Sequence, residues 1–562
     1  MCLSLSCLAA LAPQAVDPRV ALPYWEYTLD TYHYGPDWAS ESPVFADGWL
    51  GAASPNNSAH ALDAGRWAYT RVTHLDTSSS SGGATADAAA SVGTAEGVGA
   101  ITNPYGLLRS PWNTWKVPYV TRHGRLFGST DYDSFPSCEQ LDACFASGST
   151  ADLNACLNGY THGPVHIMLG GQWWGGWETA NGDEDEADAA VPTVSSSSSR
   201  ALLGGAGAAF SSSAARDDRG ATRDAMETFG LTKVFLLVAK NLWRRGYMRC
   251  PAACSADAPQ ASCECSCPAE YTTPTTSAAR GNRTSSGDAA DDDDDDDAIA
   301  RGDVAYDILV ARTGVMHWVD FYSDRIFWNA SATAGGDGGA TGRYRVRGYG
   351  VVDEARAWPT LLGLLCNPRF AGEMYTSAAP WDPAFWLVHP TADRLMQYRR
   401  LAAARTSGGA NDDGGALALD EAWSYTHDSR APSDTGVVCD WTAADAAAAS
   451  GAAGGALALP SCARGTCPGH AAEDLLPMRV PVRVSRRSVA RGGGGGDGGG
   501  AAGATTTTST RFVRMTNLEF YEYMSPLNGS SPYVYDSFRW DHCDAQGYDF
   551  AQYAAGWSAQ TA

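Results

Sequence analysis

Apolar residues recur at helical spacing in two stretches of the chain. Residues 229–247 (FGLTKVFLLVAKNLWRRGY) place hydrophobic side chains three to four positions apart and finish on basic residues, which suit the negative end of a helix dipole. Residues 305–328 (AYDILVARTGVMHWVDFYSDRIFW) repeat that pattern around an interruption at Gly314 and predict a second helix. The tail, residues 512–550, carries short aromatic runs such as VRMTNLEFYEYM and SPYVYDSFRWDHC, which predict strands and turns rather than helix.

Between these segments lie stretches with no hydrophobic period. Residues 77–100, 180–222, 269–302, 332–342, 442–459 and 492–510 are dominated by Ala, Gly, Ser, Thr and Asp, and predict insertions that build no core. The unbroken Asp run at 291–297 lacks the Gly turn and spaced ligands of a calcium loop and reads as a solvated acidic loop. The longest apolar run, 234–239, is bounded by Lys233 and Lys240 and falls far short of the roughly 18–20 residues that span a bilayer. No transmembrane segment is expected. The net charge of -23 opposes nucleic-acid binding, which needs a basic surface to neutralise phosphates.

Fifteen cysteines are present, and Cys250, Cys254, Cys263, Cys265 and Cys267 crowd one Pro- and Ala-rich loop. That density predicts disulfides and an oxidising compartment. A structural zinc knot is the alternative, against which stands the C-x-C-x-C spacing without paired C-x2-C halves. Sequons at Asn56, Asn282, Asn329 and Asn528 permit glycosylation. The expected location is outside the cell or in the secretory lumen, although the opening MCLSLSCLAALAPQA lacks the positive start of a signal peptide.

Of the eleven histidines, His162 and His166 in THGPVHIMLGGQWWGGW have the spacing of a metal-ligating pair. At positions i and i+4 of a helix two imidazoles share one face and can reach one ion. Pro164 fits a first turn and Gly170-Gly171 a stop, so a helix of two turns is expected; surface or capping roles for both histidines stay open. Downstream, Asp382-Pro383 is a helix start in AAPWDPAFWLVHPTADRLMQYRRL, with His389 and Asp393 following four residues apart. Asp393 could orient the imidazole from behind, or simply pair with Arg394 or Arg399. Pro390 is expected to divide the segment. His33, His60, His74 and His123 lack ligand spacing, and a surface position beside Arg122 and Arg125 is the simplest expectation for His123.

The run Asp382-Pro-Ala-Phe-Trp-Leu-Val-His389-Pro-Thr-Ala-Asp393 resembles the second copper signature of the tyrosinase, catechol oxidase and hemocyanin family. His162-Gly-Pro-Val-His166 ahead of Leu-Gly-Gly resembles that family's H-x-x-V-H helix, and Asp17-Pro-Arg-Val-Ala-Leu-Pro-Tyr-Trp-Glu-Tyr-Thr28 its segment ending PYWDW. The resemblance implies a mainly α fold: a helical bundle core over residues 16–405, interrupted at about 77–100, 180–222, 250–302 and 332–342, followed by a C-terminal region, 420–562, with short strands. It implies copper held by His162, His166 and His389, with Asp393 behind them, and a phenolic substrate oxidised to an ortho-quinone by dioxygen.

The chain departs from the family in three respects. The first copper's histidines should precede the PYWEY segment, yet none precedes His33, so one copper is expected from the ligands present and two only if a longer chain supplies the first site. The two copper motifs stand much farther apart than the family's few tens of residues, with the cysteine cluster and acidic tract between them. Residues 151–160 contain no Glu where tyrosinases often carry one, which makes diphenol oxidation a firmer expectation than monophenol hydroxylation. Alternatives are a non-catalytic or oxygen-carrying homologue with a single three-histidine site, and a mononuclear zinc hydrolase. Trp173, Trp174, Trp177 and Trp386 could line an aromatic pocket or belong to the core. The oligomeric state stays open.

Overall fold

The computed structural model describes residues 23–74, 102–126, 133–173, 235–272, 304–313, 325–329, 342–347, 351–376, 378–406, 480–489, 504–527 and 533–550, with a few shorter stretches between 315 and 531. The insertions expected at 77–100 and 180–222, the acidic tract at 291–297, and residues 1–16, Trp174 and Trp177 lie outside the described residues.

Among the described residues the architecture is mainly α. Helix α1 (Tyr27–Tyr34) follows directly on the PYWE segment. Helix α2 (Cys138–Phe145) opens with a capping box, in which the Gln140 N–H donates to the Ser137 hydroxyl and the Ser137 N–H to the Gln140 side chain. Helix α3 (Thr150–Cys156), a π turn (Leu157–His162) and helix α4 (Gly163–Gly170) then run on without a break. The widening follows from Pro164, which has no N–H for the carbonyl four residues back, while the Gly163 N–H reaches past one residue to Asn158. Helix α4 ends where expected: Gly171 adopts φ +61°, and its N–H closes on Ile167.

Strand β1 (Gln172–Trp173) is short. Helix α5 (Phe235–Arg244) forms the centre of the expected 229–247 helix. The stretch 305–328 is not one helix. Its first part is helical through a second π turn (Ile308–Arg312), but its end is strand β2 (Ile326–Asn329), paired antiparallel with β3 (Arg343–Val346). Ile326 lies opposite Val346 in that pair and both are buried in one core, so sheet packing overrides the helical period. Helix α6 (Val351–Leu365), strand β4 (Phe370–Ala371, paired with β1) and helix α7 (Phe385–Thr406) follow. Two further antiparallel pairs, β5 (Val437–Asp440) with β6 (Ser461–Arg464) and β7 (Val480–Val489) with β8 (Ala504–Val513), precede helix α8 (Asn517–Tyr523).

Two main cores result among the described residues. One joins Leu242 of α5, Ile308, and Trp358 and Leu361 of α6. The other joins Trp25, Phe145 of α2, Leu169 of α4, Phe385 of α7 and Trp540 of the tail. The tail corrects the expectation of strands and turns alone. Its first part includes the end of β8, but α8 is helical, and residues 533–550 lie largely as irregular chain against α7. Arg394 donates to the carbonyls of Ser537 and Arg539, and the Tyr398 hydroxyl to that of Phe550. Cys138 of α2 is bonded to Cys543 across a sequence separation of 405.

The cysteine-rich loop is stapled by Cys250–Cys265, Cys254–Cys263 and Cys267–Cys366, so all five of its cysteines are consumed in disulfides and the zinc knot is excluded there. These bonds are compatible with a secreted protein. No helix among the described residues is long and apolar enough to cross a membrane.

Candidate metal centre

The π turn, α4 and α7 bring His162, His166 and His389 together, although His162 and His389 are 227 positions apart in sequence. One ring nitrogen of each lies within 4.8 Å of the other two, a spacing that could hold a metal ion. Their ring centroids stand 4.4 Å apart for His162–His166, 4.5 Å for His162–His389 and 5.1 Å for His166–His389. The Nε2 atoms of His162 and His389 face each other at 2.8 Å.

Backbone carbonyls orient the outer nitrogens of two rings. His166 Nδ1 lies 2.6 Å from the Met374 carbonyl and His389 Nδ1 lies 2.8 Å from that of Phe385. A carbonyl only accepts, so both Nδ1 atoms carry the proton and both Nε2 lone pairs point inward. Nε2 of His166 is buried with no hydrogen-bond partner. An inward lone pair without a donor is the condition that a cation satisfies. Burial, reinforced by the neighbouring imidazoles, holds His162 well below its ordinary range. Burial likewise pushes His166 down to about 4 and His389 to about 3. All three are therefore neutral imidazoles at neutral pH. The donor set fits copper or another imidazole-binding transition metal.

Helix α7 positions His389 through its start. The Asp382 carboxylate accepts the Ala384 N–H at 2.8 Å, as the Asp-Pro signal predicts. Pro390 does not divide the segment: α7 is continuous from Phe385 to Thr406. The PYWE segment supports it there, with the Trp25 N–H donating to the Leu387 carbonyl at 3.0 Å and the Thr391 hydroxyl to the Trp25 carbonyl at 2.6 Å. The Phe385 ring packs on the His389 ring with centroids 3.9 Å apart.

Asp393 faces away from this cluster. Its carboxylate accepts the hydroxyls of Tyr533 and Tyr535, and the orienting role expected of it at His389 is filled by the Phe385 carbonyl. Pairing with Arg394 or Arg399 is also not what it does. Arg394 binds Glu26 at 2.6 Å, and Arg399 donates to the carbonyls of Phe145 and Ser147. Helical spacing placed Asp393 one turn beyond His389, but the tail supplied nearer donors.

The two carbonyls were invisible to sequence reasoning, since every residue has one. Met374 reaches His166 because a turn (Glu373–Tyr375) packs on Gly170, where a Cβ would come 2.2 Å from the Tyr375 nitrogen. His123 also departs from expectation: it is 4% exposed, interior rather than surface, because its neighbour Arg122 is drawn inward to Asp382. Trp173 is core, packed with Trp115 and Phe370, and Trp386 is partly buried against the second core. A second group, Cys138, Cys543 and His542, has metal-like spacing, but its sulfurs form a disulfide and offer no thiolates. Compared with protein-family models, curated proteins and solved structures, the chain finds no match.

Proposed function

We propose that the chain is a copper-binding oxidoreductase of the tyrosinase type, oxidising phenols or ortho-diphenols to ortho-quinones with dioxygen. The observation that carries this reading is the convergence of His162, His166 and His389, each at the position where the H-x-x-V-H and D-P-x-F…H motifs put a copper ligand, with the lone pairs of His166 and His389 turned inward. Copper, when bound, supplies the redox chemistry that activates dioxygen. The three imidazoles would hold it, neutral because they are buried and aimed because Met374 and Phe385 hold two of their outer nitrogens. Three nitrogen ligands leave positions open for exogenous oxygen. Asp382 and Arg122 keep the start of α7, and so His389, in register with α4.

One observation favours a second reading. Among the described residues a single three-histidine group is present, and a two-electron reduction of dioxygen to bridging peroxide uses two metals. A metal-binding homologue without oxidase activity has this composition.

Metal analysis of the purified chain, paired with an oxygen-electrode assay on catechol, tests both. The oxidase reading expects copper in the parent protein, its loss from this site in His389→Ala, and catechol-dependent oxygen uptake. Copper without uptake favours the second reading. Zinc alone, or copper fully retained in His389→Ala, overturns the assignment.

A further inference from the structure

Outside the three-histidine group, His60 and His123 meet in the interior beside Trp173. Their ring centroids are 4.8 Å apart, inside the 4.4–5.1 Å range spanned by the three histidines. Both are buried, at 7% and 4% exposure. Each is anchored through its backbone. The Arg122 N–H donates to the His60 carbonyl at 2.9 Å, and the His123 N–H to the Gly170 carbonyl at 3.2 Å. His60 sits at φ +51°, the left-handed region that few residues with a side chain occupy.

Both ring nitrogens of His123 are buried with no hydrogen-bond partner. Desolvating an imidazole and leaving it unpaired is unfavourable, so a buried ring in this state calls for an occupant. Trp173 closes one side, its ring 4.6 Å from His60 and 5.7 Å from His123, and an aromatic face attracts a cation in a dry site. We propose that His60 and His123, backed by the Trp173 ring, form a second metal site that takes a soft monovalent cation of the Cu(I) class on two imidazole nitrogens.

The charge follows from the surroundings. Two neutral donors bring no negative charge, and the Arg125 guanidinium that acts on His123 is a like charge to any bound ion. Burying a divalent ion under those conditions is much costlier than burying a monovalent one. Low coordination number suits the closed-shell Cu(I) ion, and imidazole is an accepted copper donor. This site stands apart from the three-histidine reading and does not depend on it.

Anaerobic titration with Cu(I), after alkylation of free thiols, measures the stoichiometry against a chromophoric competitor. His123→Phe in the otherwise unaltered chain is expected to bind one equivalent fewer than the parent, and X-ray absorption of His162→Gln/His389→Gln to show one Cu(I) with nitrogen ligands. His60→Gln, which keeps the backbone bond from Arg122, is expected to repeat the loss and carries the test should His123→Phe not fold. Unchanged stoichiometry in a folded His123→Phe or His60→Gln variant overturns the site, as does a His162→Gln/His389→Gln variant that folds and binds none. Failure of the three-histidine reading looks different: the parent would then carry the His60–His123 equivalent alone.

Discussion

Arg122 and Asp382 form a two-pronged ion pair across 260 positions of sequence, Nε to Oδ2 and Nη2 to Oδ1 each at 2.6 Å, with both side chains fully buried. Nη1 donates to the carbonyls of Leu50, Gly51 and Ala52. The same carboxylate accepts the Ala384 N–H just ahead of α7, so one residue joins the loop 121–126 to the start of the helix that carries His389. Removing either partner strands a buried charge. Arg122→Met is expected to lower stability by about 3–5 kcal/mol, and the double variant Arg122→Met/Asp382→Leu by less than Asp382→Leu alone. Urea unfolding of the three variants reads this directly; equal losses in single and double variants would contradict it.

Gly171 ends α4 at φ +61°, and a Cβ there would lie 1.8 Å from the His123 carbonyl oxygen. Gly171→Ala is expected to be destabilised by at least the roughly 1–2 kcal/mol of the left-handed conformation alone. Gly148, where a Cβ would meet nothing within 4 Å, is the control. Gly148→Ala should fall within about 0.5 kcal/mol of the parent in the same denaturation experiment.

Acid should destabilise the metal-free protein. His123 and His389 are pushed down to about 3 and His166 to about 4 by burial, so between those values and the unfolded value near 6.5 the unfolded chain binds more protons. The stability these residues contribute is full above about pH 6.5 and declines as pH falls. Asp393 opposes this: burial raises it to about 6, and its contribution is present at low pH and lost as pH rises from about 4 through 6. His162 and His542 are lowered as well, and Asp30 and Asp544 raised, so the lowered histidines outnumber the raised carboxyls and thermal unfolding in chelator should occur at lower temperature at pH 5 than at pH 7. Asp393→Asn, which stays neutral throughout, should widen that gap relative to the parent; a narrower gap would refute the assignment.

The Cys138–Cys543 bond ties α2 to the tail that lies along α7. Cys138→Ser/Cys543→Ser is expected to lose about 2–5 kcal/mol, chiefly by freeing the unfolded chain. Cys144 and Cys156 close a much shorter loop within α2 and α3, with a separation of 12. Their replacement should cost less under the same loop-entropy argument, and comparison of the two urea midpoints checks it.

Local signals in the sequence carried much of the candidate site. The i, i+4 histidine pair, the Asp-Pro helix start and the glycine stop at Gly171 are each decided by neighbours a few residues away, where spacing and backbone preference act without the rest of the fold. The period at 305–328 misled for the converse reason: the apolar positions that match a helix also match a strand with Ile326 on its inner face, and only the partner β3 resolves the choice.

By itself, then, the sequence determined the helical segments around His162, His166 and His389, the types of side chain brought to the site, and the absence of a membrane-length apolar run. Tertiary structure decided that the three rings meet, that the carbonyls of Met374 and Phe385 orient two of them, and that Asp393 turns to Tyr533 and Tyr535. It also decided that α7 passes unbroken through Pro390 and that His60 and His123 are interior. The physical reason is range. Propensity and spacing act within a few residues, whereas carbonyl orientation, burial and charge pairing depend on chain brought from hundreds of positions away.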